Sequence, residues 1–391
     1  MTNARRYVLD EKGLLDSVRE ESVVKLLQKV IRIESTNPPG NELDLAKMLA
    51  DYFTRAGLGP ELLEYEGKRA NLITRIPGTG ERPGLIFSAH MDTVPAGEVP
   101  WMFPPFSATL HEGRIYGRGA ADMKGGLAAM AEAMVILARK GFSPKGDLIA
   151  AFTYDETHGL QGAKRLVEEG HLEGAGAVLI SEPSTLEVFV AEKGALWLRC
   201  RAEGRTGHTS MPHLGQNAIF EMTRFLCRLE AELDISTHEH SLLGTATFTV
   251  GTIQGGVTIN VIPDACEAEI DIRLVPGQDY QDVILKVRDL AGEGVSVELI
   301  DWKEPVESDP GTDIVKLALA VVQEVTGQPR SPKGVAYYTD GAILANRLQI
   351  PMVNIGPADT GMTHQPNENV EVEPLVQAVK IFLLIANRYL T

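Results

Sequence analysis

Cysteine is scarce in this chain. Cys200, Cys227 and Cys266 are odd in number and widely spaced, and no C-x-x-C pair occurs. This excludes a disulfide scaffold, a thiolate zinc site of ordinary spacing and a dithiol redox couple, and it fits a reducing compartment. Long apolar runs are missing as well: no stretch approaches the ~20 residues that a membrane helix needs. The segment from Met1 to Glu20 is charged and lacks the apolar centre of a secretory leader. A cytoplasmic location with no membrane partner is therefore expected. Positive charge is in deficit, with 37 Lys and Arg against 53 Asp and Glu and a formal net charge of -16. The basic residues are scattered without a stripe, which argues against nucleic acid as a partner. No internal repeat or low-complexity tract is visible.

What is present reads as a globular enzyme. Hydrophobic residues make up 44% of the 391 positions and charged residues 23%, and a chain of this length is expected to form two domains. Apolar residues at helical spacing predict helices over Leu14–Ile33, Asn41–Ala56 and Lys124–Lys140. Short apolar runs predict strands over Asn71–Pro77, Gly84–Ala89 and Asp147–Thr153. This alternation predicts an α/β fold with a largely parallel or mixed sheet. From Lys193 the order becomes βαββαβ: strand Ala195–Ala202, helix Asn217–Leu233, strands Thr245–Gly251 and Ala265–Leu274, helix Tyr280–Ala291 and strand Val295–Ile300. That is an open-faced α+β sandwich of ferredoxin-like order. Helices over Thr312–Thr326 and Glu373–Tyr389 resume the first pattern. Residues 193–303 thus read as a domain inserted into a catalytic domain made of 1–192 and 304–391.

Five segments carry candidate chemistry. The strand Leu85–Ala89 delivers His90 and Asp92, two apart and so on one side. A zinc-ligating His usually has its other nitrogen held by a carboxylate, so this pair suits a ligand and its orienter; a surface turn is the plain alternative. Next, Gly117-Arg118-Gly119-Ala120-Ala121-Asp122 leads into a helix. It lacks both the third glycine of a dinucleotide fingerprint and the GKS or GKT of a P-loop. Asp122 is either an ordinary helix cap or a carboxylate able to bridge two ions. The third and fourth segments, Tyr154-Asp155-Glu156-Thr157 and Ser181-Glu182-Pro183, place acids at strand ends, where α/β proteins put ligands. The fifth is Gly361-Met362-Thr363-His364-Gln365-Pro366-Asn367-Glu368.

Taken in this order, the segments resemble the zinc-dependent deacylases and exopeptidases that include acetylornithine deacetylase, succinyl-diaminopimelate desuccinylase, aminoacylase and a glutamate carboxypeptidase. The likeness runs from about Val24 to Leu390. It implies a mixed-sheet zinc-peptidase-like catalytic domain and an inserted lid that also joins two chains into a homodimer. By this resemblance His90 and Glu182 hold one metal, His364 holds another, Asp122 bridges them, Asp92 orients His90 and Glu156 is the general base. Gly207-His208-Thr209-Ser210-Met211-Pro212 resembles the family segment whose His reaches the partner's active site and stabilises the oxyanion, which gives His208 that role. Asn260, Arg273 and Thr339 match positions that contact substrate; Arg273 also reads as a salt-bridge residue on a sheet face.

One position departs from the family pattern Asp-Glu-Glu-x-Gly-x-x-Gly. Gly159 and Gly162 fix the register, so Thr157 stands where a second Glu ligates the metal shared with His364. A weakened second site follows, with one or two zinc ions per subunit and cobalt as a possible substitute. The resemblance implies hydrolysis of a small N-acyl amino acid, of the acetylornithine or succinyl-diaminopimelate type. Two alternatives stay open: a dipeptidase or carboxypeptidase with a different pocket, and a catalytically silent relative.

Overall fold

The computed structural model describes residues 8–391. It divides into two compact units. The larger runs to Val190 and takes in Glu307–Lys333 and Thr339–Thr391, and the smaller comprises Ala191–Val306 and Gly334–Tyr338.

Among the described residues the nine-stranded main sheet includes, in order, Glu61–Tyr65, Arg69–Ile76, Leu148–Thr153, Gly84–His90, Ala175–Ile180 and Met352–Asn354, and continues with Val188–Glu192 and Val306–Glu307. Its centre is parallel: Gly84–His90 pairs in parallel with both Leu148–Thr153 and Ala175–Ile180, and the latter with Met352–Asn354. Arg69–Ile76 runs antiparallel on one side, so the sheet is mixed. The central strands are buried residue by residue, as expected for strands covered on both faces. Phe87 meets Phe382 of the helix Val372–Tyr389, and Phe152 meets Phe53 of Glu42–Thr54. These helices therefore cover one face. Ile180, in register with Ser88, lies against the start of Gly341–Leu348 on the other. All the parallel strands end on the same edge, and the chemistry-bearing segments follow them there.

The expected helix over Leu14–Ile33 is two helices, Glu11–Leu15 and Glu20–Arg32. Ser17 breaks it: its hydroxyl donates to Gly13 O at 2.6 Å and its N–H to Leu14 O at 3.0 Å, a local bond that competes with the helical ladder. The long apolar helix begins at Gly125 instead of Lys124, because Asp122 and Met123 have non-helical backbone angles.

The smaller unit is a four-stranded antiparallel sheet ordered Thr247–Gly255, Ala265–Leu274, Gly194–Glu203, Val295–Lys303. Alternation along Ala265–Leu274 sends Cys266, Ala268, Ile270, Ile272 and Leu274 into a core with Met222, Phe225 and Val287 from the helices Ala218–Glu232 and Tyr280–Ala291. Elements appear in the βαββαβ order read from the sequence. No helix among the described residues is long and apolar enough to cross a membrane.

Candidate metal centre

Three side chains converge at the carboxyl edge of the larger sheet. His90, the last residue of its strand, places Nε2 3.0 Å from Asp122 Oδ1 and 3.2 Å from Glu182 Oε1. The donor atoms of His90, Asp122 and Glu182 all lie within 4.8 Å of one another, the one such three-residue group among the described residues. Zinc bonds of ~2.0–2.2 Å in a tetrahedron require ligand atoms about 3.3–3.5 Å apart. The two distances fall close to that. A second histidine meets the other oxygen of the same carboxylate, with His364 Nε2 3.2 Å from Asp122 Oδ2. Asp122 therefore stands between His90 and His364, as a bridging carboxylate would.

Asp122 is held from behind by a residue far along the chain. Oε1 of Glu368 accepts the N–H groups of Ala121 at 2.8 Å and Asp122 at 3.0 Å. Its other oxygen pairs with Arg118, and both side chains are buried. Arg118 also donates to the carbonyls of Gln365 and His364. One buried ion pair thus fixes the Asp122 turn and the His364 loop together. Burying such a pair is tolerable when most of the remaining donors and acceptors are satisfied, and here the backbone takes up all but Arg118 Nε, which has no partner among the described residues.

Asp92 does more than orient His90. The His90 ring meets the Asp92 backbone carbonyl, Nδ1 to O at 2.9 Å, more closely than the Asp92 carboxylate, whose Oδ1 is 3.5 Å away. The carboxylate mainly holds the segment that carries Glu156. Oδ1 accepts Glu156 N–H at 3.2 Å, and Oδ2 accepts Thr157 N–H at 3.1 Å, Thr157 Oγ1 at 2.7 Å and Asn37 Nδ2 at 3.0 Å. Asp155 turns the chain into this position with φ of 65°, a left-handed conformation that Asp tolerates better than most residues. Its carbonyl accepts from Gly159 and Leu160, and its carboxylate from Arg69 at 2.9 Å. Glu156 then lies with Oε2 3.8 Å from His90 Nε2.

The electrostatics call for a cation. Burial and neighbouring carboxylates push the carboxyls of Glu156 and Glu182 above their ordinary range, although His90 pulls both down. Burial also works against charge on His90, yet Glu182, Asp122 and Asp92 raise its pKa well above normal. Burial is likewise outweighed at Asp122, where His364 and His90 hold the carboxyl well below its usual range. An imidazole and several carboxylates crowded out of water are a nitrogen–oxygen donor set suited to a divalent ion.

The sequence brings His90, Asp92, Asp122, Glu156, Glu182 and His364 to this centre. Thr339 is fully buried, its hydroxyl accepting the N–H of Gly341 at 2.9 Å at the start of a helix. His208, Asn260 and Arg273 belong to the smaller unit. His208 is exposed, with Nδ1 2.8 Å from Ser210 Oγ. Asn260 is exposed beside Thr258. Arg273 is half-buried, donates to Asp271 and lies over the Tyr338 ring. Sequence reasoning missed Asn37 and Arg69, and gave Asp340 no part in the centre. Asp340, buried and bonded to the Thr153 hydroxyl, adds to the negative charge around Glu156. Neither Asn37 nor Arg69 had a role in that reading, and Asp340 stood only beside Thr339 in a loop matched to the substrate, because a supporting residue has no spacing of its own.

Comparisons with known proteins converge on one family. A profile of peptidase family M20/M25/M40 matches residues 86–388. The "probable succinyl-diaminopimelate desuccinylase" of Staphylococcus aureus strain N315 is 28% identical, over 95% of this chain and 98% of its own. The acetylornithine deacetylase of Pasteurella multocida is 30% identical over 84% and 86%. An M20 family metallo-carboxypeptidase from Sulfolobus solfataricus superposes with a TM-score of 0.82 at 21% identity, covering 94% of this chain and 99% of the other. A dinuclear metal-binding M20 peptidase from Bacillus subtilis gives 0.72 at 18% identity, covering 97% and 99%.

Proposed function

The chain belongs to peptidase family M20/M25/M40, a hydrolase of amide bonds, and from that premise we propose that it removes the acyl group from a small N-acyl amino acid. Support for the substrate class comes from the desuccinylase and deacetylase relatives, which align along most of both chains. The observation that carries the reading is the carboxylate of Glu156, 3.8 Å from the His90 nitrogen on which Asp122 and Glu182 converge. A proton acceptor beside a three-donor centre is the arrangement that hydrolysis by water requires.

In this reading His90, Asp122 and Glu182 hold zinc, Asp122 and His364 offer a further position, and cobalt can substitute. When bound, the ion supplies Lewis acidity, which polarises the scissile carbonyl and makes water easier to deprotonate. Glu156 takes a proton from water as its oxygen bonds to the carbonyl carbon. The same carboxyl returns the proton to nitrogen as the C–N bond breaks, leaving a carboxylate and a free amino acid. Asp92 keeps Glu156 in reach through its N–H, and His90 in register through Nδ1. Burial and nearby carboxylates hold Glu156 above the usual acid range, which suits a base working near neutrality.

Residues 193–303 serve in this reading as lid and dimerisation domain of a cytoplasmic enzyme, with His208 supplied to the partner's oxyanion and Arg273, Asn260 and Thr339 at the substrate. Among the described residues the strand Thr247–Gly255 is bonded on one side only, and Ile253, Val257 and Ile259 are exposed on or beside it. Such an open apolar edge invites a second copy. The test is hydrolysis by zinc-loaded protein of N-succinyl and N-acetyl amino acids beside dipeptides. A higher kcat/KM for an acyl amino acid is expected. Turnover confined to dipeptides would replace the deacylase reading with a dipeptidase, and no turnover of either would remove the enzyme assignment.

A further inference from the structure

Thr157 follows Glu156 directly, and its side chain is engaged away from the centre. Its hydroxyl donates to Asp92 Oδ2 at 2.7 Å, and its N–H donates to the same oxygen at 3.1 Å. The hydroxyl oxygen in turn lies 3.1 Å from the amide nitrogen of Asn37 and 3.3 Å from His158 Nδ1. A hydroxyl has one proton and two lone pairs. The proton is committed to Asp92, and the lone pairs face groups other than an ion.

Asn37 is itself fixed on several sides. Its N–H donates to Thr93 O at 2.8 Å, its Nδ2 lies 3.0 Å from both Asp92 Oδ2 and Asp155 Oδ1, and its Oδ1 accepts from Arg69 at 3.5 Å. Arg69 is anchored by Glu42 and Asp155, each at 2.9 Å. A permanent cation and a neutral amide thus brace this side of Asp92, where Thr157 belongs to the brace.

The His364 side offers little else. Its imidazole, 57% exposed, meets only the outer oxygen of Asp122, and no third His, Cys, Asp or Glu completes a three-donor group there among the described residues. An ion at His90 is met by the charges of Asp122 and Glu182. One at His364 would have only a share of Asp122, with most of its coordination left to water.

We propose that the centre holds one ion tightly, at His90, Asp122 and Glu182, and that Thr157 is a positioning residue that steadies Asp92 in place of ligating a second ion. This rests on reading those three residues as a metal centre, and the measurement separates the two claims. Protein saturated with zinc and desalted is assayed by elemental analysis, and zinc is titrated by calorimetry into chelator-treated protein. The wild-type chain is expected to keep one ion, and Thr157→Glu to keep two. Thr157→Val should weaken the single ion by ~10-fold, as loss of an outer support does, while Thr157→Ser restores it. The valine–serine pair decides the case even where the glutamate variant fails to fold. Two tightly held ions in the wild-type chain, or equal affinity in the valine and serine variants, overturns this inference and leaves the hydrolase reading in place. No retained ion overturns both.

Discussion

The backbone N–H of Asp122 donates to Oε1 of Glu368 at 3.0 Å, across 246 residues of sequence. The bond matters because Asp122 faces both histidines, so a small rotation of its peptide moves two donor contacts at once. Glu368 has no place in the donor cluster and reaches it only through backbone and Arg118. Glu368→Ala should lower zinc affinity by ~10–100-fold, as outer supports of metal ligands typically do. The buried Arg118 would also lose its counter-charge, so the thermal midpoint should fall. Calorimetric zinc titration and a melt of the metal-free chain check the two effects separately.

Glu156 is the opposite case, a carboxylate near the centre that is not one of its three closest donors. Glu156→Gln keeps the shape and the N–H bond to Asp92 while removing the proton acceptor. The expected loss in kcat is ~10²–10⁴-fold, the range for a general base. Zinc content, by elemental analysis of the desalted variant, should remain that of the wild type. A parallel loss of metal would make Glu156 a ligand and reassign the base.

The elements that position the centre were legible where their signal was long or periodic. The buried strands ending at His90 and Thr153, the helix Gly125–Arg139 and the βαββαβ insert all had such a signal. The strands Glu61–Tyr65 and Met352–Asn354 were not anticipated, since five and three residues carry too little pattern to register. At the centre, residues that touch the ion position stood in recognisable segments. Their supports did not: Asn37, Arg69 and Asp340 act only because folding brings them under Asp92 and Glu156, and nothing local to each predicts the pairing.

Asp340 supplies a test that needs no substrate. Burial lifts its carboxyl from 3.8 to about 7, with the Thr153 hydroxyl bond opposing the rise. Between those values the unfolded chain has lost a proton that the folded chain retains. Folding then takes up a proton, and stability falls as pH rises through the window; above it both states are ionised and this contribution levels off. In Asp340→Asn the fall should be shallower, with Glu42, Glu156, Glu182 and Glu368, whose carboxyls burial also raises, contributing to the remainder. Urea unfolding of chelator-treated protein across that pH window measures both slopes, and an unchanged slope would remove Asp340 from the set of groups that keep a proton on folding.

Glu182 depends on how closely a helix can approach its strand. At Gly126, in the first turn of Gly125–Arg139, an added Cβ would lie 2.1 Å from Ser181 O and 2.3 Å from Ser181 Oγ. Neither atom can retreat freely, because Ser181 joins the end of Ala175–Ile180 directly to Glu182. Gly126→Ala should therefore cost ~1–3 kcal/mol, the range for overpacking a filled interior, and displace Glu182 enough to weaken zinc binding. Gly59 has nothing within 4 Å of such a Cβ and is not held at positive φ, so Gly59→Ala should leave affinity unchanged and stability equal or slightly higher. Melting both variants with and without zinc separates the two contributions. The gap between zinc-bound and zinc-free midpoints should shrink for Gly126→Ala alone, because only there does the new methyl press on the chain that carries a ligand.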